Sequence, residues 1–286
     1  MRELPGFQTL GAVALLAAAL GCGDGSGAPN AGIPNEPAGY VPFAINGYSS
    51  IPTGDAAPGE PAGELGRWFA SPQGNPNLTI ESDGSAPESP STVVQTRFRS
   101  TLPAGSSPVI TGGWDESGEQ KSKVYFSMWI KIVGPDYENH PTLTKMGFFA
   151  YAEATTAANN EGFFTLEGTG QRVITSSFTV AFRQQNNVNR NLFPNVDTSP
   201  LMTCGTWHQW EAVLELNSAP GVADGTFQMW IDGTQTHDYS NMVYTTPGDT
   251  NKFFLWKWVP VWGGQGSSRT RDDSMQIDNV YLSGLP

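Results

Sequence analysis

The side chains of this 286-residue chain best suited to chemistry sit at alternate positions in short apolar runs. Gln95, Arg97 and Arg99 lie in VVQTRFRS, Tyr125 and Trp129 in KVYFSMWIK, Lys145 and Tyr151 in TKMGFFAYA, and Arg183 in SSFTVAFRQ. Gln228 and Trp230 follow in GTFQMWIDG, and Trp256 in KFFLWKWVPVW. Tryptophan rings stack on pyranose faces, while guanidinium and amide groups grip hydroxyls or carboxylates, so the set points to polysaccharide recognition. The same residues admit a reaction. β-Elimination from a uronate needs one group to neutralise the carboxylate and another to remove a proton. Arg97 suits the first role, and Tyr125, Lys145 or Tyr151 the second. A solvated sheet face with snorkelling basic side chains is the third reading, and it leaves a structural or adhesive protein.

Other chemistries find less support. Glu211 and Glu215 share a strand face, but four residues separate them by about 13 Å, whereas glycoside hydrolysis needs roughly 5 to 9.5 Å. His140, His208 and His237 are isolated and read as satisfied surface or turn residues. The same spacing of about 13 Å keeps His208 from activating Cys204, which reads as a buried structural thiol. Motifs of serine hydrolases, zinc proteases and phosphate loops are missing. A net charge of −12 would repel a phosphate backbone, so nucleic acid is not expected as a partner.

Period-two alternation, interrupted by 33 Gly and 22 Pro, predicts many strands joined by turns, with no convincing helical period. The expected fold is all-β: a two-sheet antiparallel jelly-roll sandwich over residues 66–286. In KVYFSMWIK the inward set is Val124, Phe126, Met128 and Ile130, and in TFQMWIDG it is Phe227, Met229 and Ile231. Arg97, Trp129, Arg183 and Trp230 are then expected to gather in a single hollow. The Asp232-Gly233 pair suits a tight hairpin turn.

The N-terminus reads as an export signal. Leu10–Leu20 is apolar but too short to span a bilayer. Ala19-Leu20-Gly21-Cys22 resembles the lipobox of bacterial lipoproteins. The resemblance implies a signal peptide over 1–21 and a lipidated Cys22 anchored at the cell envelope, with the outer membrane expected. Residues 22–65 are rich in Gly and Pro and read as a tether, with Tyr40–Ile45 docking as a first edge strand.

Three segments in order, KVYFSMWIK, TWHQWEAVLELN with DGTFQMWIDGT, and MQIDNVYLSG, resemble the concanavalin A-like, laminin-G-like jelly roll of lectins, glucanases and polysaccharide lyases. The resemblance implies that fold and a glycan partner. It requires no cofactor. Asp278 resembles an aspartate that helps to bind structural calcium in related folds, with Asp272 or Asp273 as further oxygen ligands. The glucanase pattern E-x-D-x-x-E is absent, and Gln95–Arg99 only loosely echoes the R-x-E-x-R of one alginate-lyase family.

Overall fold

A computed structural model describes residues 33–47, 54–55, 77–88, 92–109, 113–115, 120–152, 160–167, 173–174, 177–185, 189–197, 202–249 and 252–286. Cys22, the signal segment and the tether before Ile33 lie outside them. The strands are β1 Val41–Asn46, β2 Gly54–Asp55, β3 Leu78–Ser82, β4 Thr92–Phe98, β5 Gly113–Asp115, β6 Lys123–Val133, β7 Tyr137–Glu138, β8 Leu143–Ala152, β9 Asn160–Glu167 and β10 Val173–Ile174. They continue as β11 Ser177–Phe178, β12 Val180–Gln185, β13 Arg190–Leu192, β14 Met202–Thr203, β15 Trp207–Glu215, β16 Gly225–Ile231, β17 Thr234–Met242, β18 Leu255–Trp262 and β19 Asp273–Leu285. None of the described residues is helical.

Two antiparallel sheets hold most of these strands. The nine-stranded sheet runs β17-β16-β15-β6-β19-β4-β3-β2, with β1 beside β19. The six-stranded sheet runs β13-β12-β9-β8-β18-β5. The pairs β10-β7 and β11-β14 form small ribbons. Between Asp278 and Tyr281 the register of β19 shifts, with Asn279 at a φ of 42°. The first half of β19 therefore pairs with β4 and the second half with β1. The β16–β17 hairpin closes through Asp232 and Gly233, both at positive φ, which matches the right-handed twist of the flanking strands.

The core fills the space between the sheets. Val124, Phe126, Met128 and Ile130 of β6, and Phe227, Met229 and Ile231 of β16, face inward as their alternation predicts. Phe126 meets Phe164 and Trp256 from the opposite sheet, and Phe182 stacks on Phe227 at 4.3 Å. Trp256 was expected on a ligand face. It is instead fully buried, because β18 turns Trp256 and Trp258 inward and Lys257 outward.

A buried guanidinium pins one end of the sandwich. Arg269 lies among the rings of Phe98, Tyr137 and Trp262, donates to the Glu138 carbonyl at 2.8 Å and pairs with Asp273. That pairing bears on the calcium expectation. Asp273 is committed to Arg269 and Arg271, and Asp272 accepts from the Ser100 amide and Arg99. Asp278 is buried on β19, with Oδ1 accepting from the Asn279 amide. Among the described residues no three acidic, histidine or cysteine side chains group to hold a metal. Cations and amides of the protein itself already satisfy Asp272 and Asp273.

Candidate functional site

The outer face of the six-stranded sheet gathers chemistry into one line. Strand pairing sets Lys257 of β18, Phe148 of β8, Phe163 of β9, Arg183 of β12 and Asn191 of β13 side by side across five strands. At about 4.8 Å per strand the row spans roughly 19 Å. In β9, Phe164 and Leu166 enter the core, which leaves Glu161, Phe163, Thr165 and Glu167 outside.

A bulge in β8 decides what joins this face. Three residue steps from Lys145 to Phe148 oppose two steps from Thr165 to Phe163, so the alternation changes phase. Without the bulge, Lys145 and Tyr151 would point the same way. With it, Phe148 moves out beside Lys145 and Tyr151 turns into the core, where its hydroxyl donates to the Glu161 carbonyl. The expectation that Tyr151 removes a proton is therefore corrected. Its phenol is fully buried, and burial raises it far above the ordinary range.

Four side chains on the face form a hydrogen-bonded chain. Lys145 Nζ donates to Gln185 Oε1 at 3.2 Å, Gln185 Nε2 donates to Glu161 Oε2 at 2.9 Å, and Lys257 Nζ meets Glu161 Oε1 at 2.8 Å. Lys145 lies 4.6 Å over the Phe163 ring and Lys257 5.2 Å over Phe148. Arg183 is held in a fork by Glu167, through Nε–Oε1 at 3.0 Å and a second nitrogen at 2.6 Å from Oε2, and also donates to Asn191. A guanidinium has five N–H donors, so these bonds fix its plane and leave donors for a ligand. Lys145 differs from the other two cations. Its close acceptor is a neutral amide, and burial pushes its ammonium below the ordinary lysine range; Glu161 opposes the shift and Arg183 adds to it.

The expected single hollow divides into two opposite faces. Lys145 and Arg183 lie on the six-stranded sheet. Gln95, Arg97, Tyr125, Trp129, Gln228 and Trp230 project from the outer face of the nine-stranded sheet, on the far side of a core about 10 Å thick. Alternation tells inward from outward within a strand, but it does not tell which sheet the strand joins. Gln95 and Arg97 are occupied by Glu81, and Gln228 by Asp238. Arg99 follows the end of β4 and bonds Asn77 and Asp272.

Tyr125 is corrected as well. Residues 33–46 cross over it, and it donates to the buried Glu211 at 2.6 Å; burial and that carboxylate raise its phenol far above its ordinary range. The histidines are buried rather than superficial. His140 packs edge-on against Trp262, and His208 links Thr203 to Asp232 at the hairpin turn. His237 is held neutral, its pKa pushed down to about 4 by burial. Sequence reasoning missed Phe148, Glu161, Phe163, Gln185 and Lys257. The alternation of NEGFFTLE carried the signal for Glu161 and Phe163, and the basic residue between two tryptophans carried it for Lys257.

No protein-family model matches the chain, and no curated protein matches it. Solved structures do. A variant of alginate lyase Aly36B in complex with alginate trisaccharide superposes with a TM-score of 0.60 at 16% identity, covering 85% of this chain and 99% of that one. The fold is an antiparallel jelly-roll sandwich. An endo-β-1,4-glucuronan lyase from the fungus Trichoderma reesei gives 0.53 at 15% identity, covering 76% and 91%. The marine PL-14 alginate lyase from Aplysia kurodai gives 0.51 at 8%, covering 72% and 86%. At these identities the likeness establishes the architecture shared with polysaccharide lyases and leaves the chemistry to this chain's own residues.

Proposed function

We propose that this protein is a polysaccharide lyase that takes a uronate-containing glycan on the outer face of the six-stranded sheet, with Lys145 removing the proton. The observation that carries the reading is Lys145 itself: a lysine held off the carboxylates, above an aromatic floor and beside a fixed guanidinium. A base works best when its pKa approaches the working pH, and a lowered lysine moves in that direction. Arg183 would draw the substrate carboxylate, which makes the adjacent C–H more acidic. The neutral amine of Lys145 would take that proton. The C–H electrons would form the ring double bond, and the bond to the glycosidic oxygen would break, with that oxygen taking a proton from solvent water and leaving as a hydroxyl, while the Lys145 ammonium returns its proton to solvent. The names of the structural neighbours, alginate and glucuronan lyases, support this substrate class. The same proposal includes export and a lipid anchor at Cys22, which would hold the domain at the cell envelope.

A second reading, glycan recognition without cleavage, is favoured by one feature: Lys257 and Arg183 are already neutralised by Glu161 and Glu167. Incubation with polymannuronate, polyguluronate and glucuronan separates the two. Ultraviolet absorbance of an unsaturated uronate product, lost in Lys145→Ala with binding retained, supports the lyase. Binding without product supports recognition alone, and neither binding nor product overturns both.

A further inference from the structure

The opposite face of the sandwich carries a second arrangement, independent of the first. Trp129 of β6 and Gln209 of β15 are register neighbours, and Gln209 Nε2 donates to Ser127 Oγ at 3.4 Å. Trp230 of β16 pairs with Glu211 one strand away. Two strand spacings and two residue steps put the Cα atoms of Trp129 and Trp230 about 12 Å apart. Both indoles are partly exposed, and neither indole N–H has a hydrogen-bond partner among the described residues.

Two walls flank this floor. On one side the segment 33–46 lies over Tyr125, Val213 and Tyr281, fixed by Asn35 to Glu211, Tyr40 to Glu215, and Tyr281 to Glu36. Trp230 packs against the same buried cluster of Tyr125, Val213 and Tyr281 that this segment covers. On the other side the 83–88 turn is pinned by the ion pair of Asp83 with Lys131 and by the Trp207 indole donating to Ser85. Trp129 sits between them.

The charges on this face select the ligand. Lys131 is consumed by Asp83 and Arg97 by Glu81. Among the described residues Glu211 receives only neutral donors, Tyr125 at 2.6 Å and Asn35 at 2.9 Å. Asp278, the register partner of Trp129, makes no ion pair among the described residues. The cations are cancelled while carboxyl groups remain, so a uronate polymer meets no attraction here. We infer that the channel floored by Trp129 and Trp230 is a second, non-catalytic site for an uncharged polysaccharide, whose sugar rings stack on the two indoles while Gln209, Ser127 and the indole N–H groups bond hydroxyls. The two faces would then hold two different glycans of one extracellular matrix.

Native affinity gels with the full chain test this, using hydroxyethylcellulose, xylan and galactomannan as uncharged probes and alginate as the anionic control. At least one uncharged polymer should retard the protein. Trp129→Ala should weaken that retardation on the order of tenfold, as truncation of an aromatic anchor does, and Trp230→Ala less. Trp129→Phe should keep part of it, which distinguishes loss of stacking from loss of fold. Lys145→Ala should leave uncharged-polymer binding intact, so this outcome does not depend on the elimination reaction. The inference is overturned if no uncharged polymer retards the chain, if both tryptophan variants bind as wild type does, or if Trp129→Ala abolishes alginate binding instead.

Discussion

The two outer faces of one sandwich are built on opposite electrostatic plans. The six-stranded face sets cations over phenylalanine rings and leaves one of them, Lys145, on a neutral amide. The nine-stranded face cancels its cations, keeps carboxyl groups under neutral donors and leaves two tryptophans partly exposed. Both faces rest on the same core of inward Phe, Trp and Met. The difference shows that the jelly roll supplies only flat, rigid support. The chemistry of each face comes from which residues the strand phase turns outward and from what covers them.

Several substitutions sharpen or break this contrast. The largest effect is expected at Lys145. Lys145→Ala should lower elimination by about 10²- to 10⁴-fold, the usual contribution of a positioned base, with the melting temperature almost unchanged. Wild-type activity should rise with pH as the Lys145 ammonium loses its proton, with a midpoint below that of an ordinary lysine. A steady-state pH–rate profile checks both. Next comes the core shared by the two faces. Trp256→Ala should cost about 3–5 kcal/mol in urea unfolding, since it removes a buried indole and leaves a cavity. Trp129→Ala should stay within about 1 kcal/mol, because that ring is partly in water.

A smaller effect separates the faces by pH. Burial pushes the Asp278 carboxyl up to about 7, with Glu88 and Asp83 adding to the shift. A carboxyl raised in the fold binds its proton more tightly than in the unfolded chain. Its contribution to stability is therefore full below about pH 4 and is lost as pH rises through 7. Asp278→Asn should then be more stable than wild type at about pH 8, by up to a few kcal/mol, with the advantage vanishing near pH 4. Thermal midpoints across that range measure it. The smallest effect is expected where the segment 33–46 crosses the nine-stranded face. Glu36→Gln weakens the bonds from Tyr281 and Ser283 and should cost about 1 kcal/mol, read from chemical unfolding.

Much of this architecture is legible in the sequence, for physical reasons. Alternation in KVYFSMWIK and TFQMWIDG places each core residue correctly, because a pleated strand has a period of two and one face must leave water. Asp232-Gly233 marks its hairpin because few residues tolerate two consecutive positive φ angles. The site resisted reading at two points. The β8 bulge reverses the phase after Lys145, so Tyr151 leaves the face and Phe148 joins it, and the isolated Gly147 is its one sign in TKMGFFAYA. Sheet membership is set by pairing between distant segments. Arg97 and Arg183 look alike in their strands yet end on opposite sides of the core.

In the proposed reaction Lys145 breaks a C–H bond of a uronate bound on the six-stranded face. A uronate polymer carrying deuterium at the carbon beside the carboxylate tests it directly. Wild-type protein should form unsaturated product more slowly from the labelled polymer, and Lys145→Ala should form it at least about 10²-fold more slowly than wild type from either polymer. Equal release of unsaturated product by wild type and Lys145→Ala would contradict it.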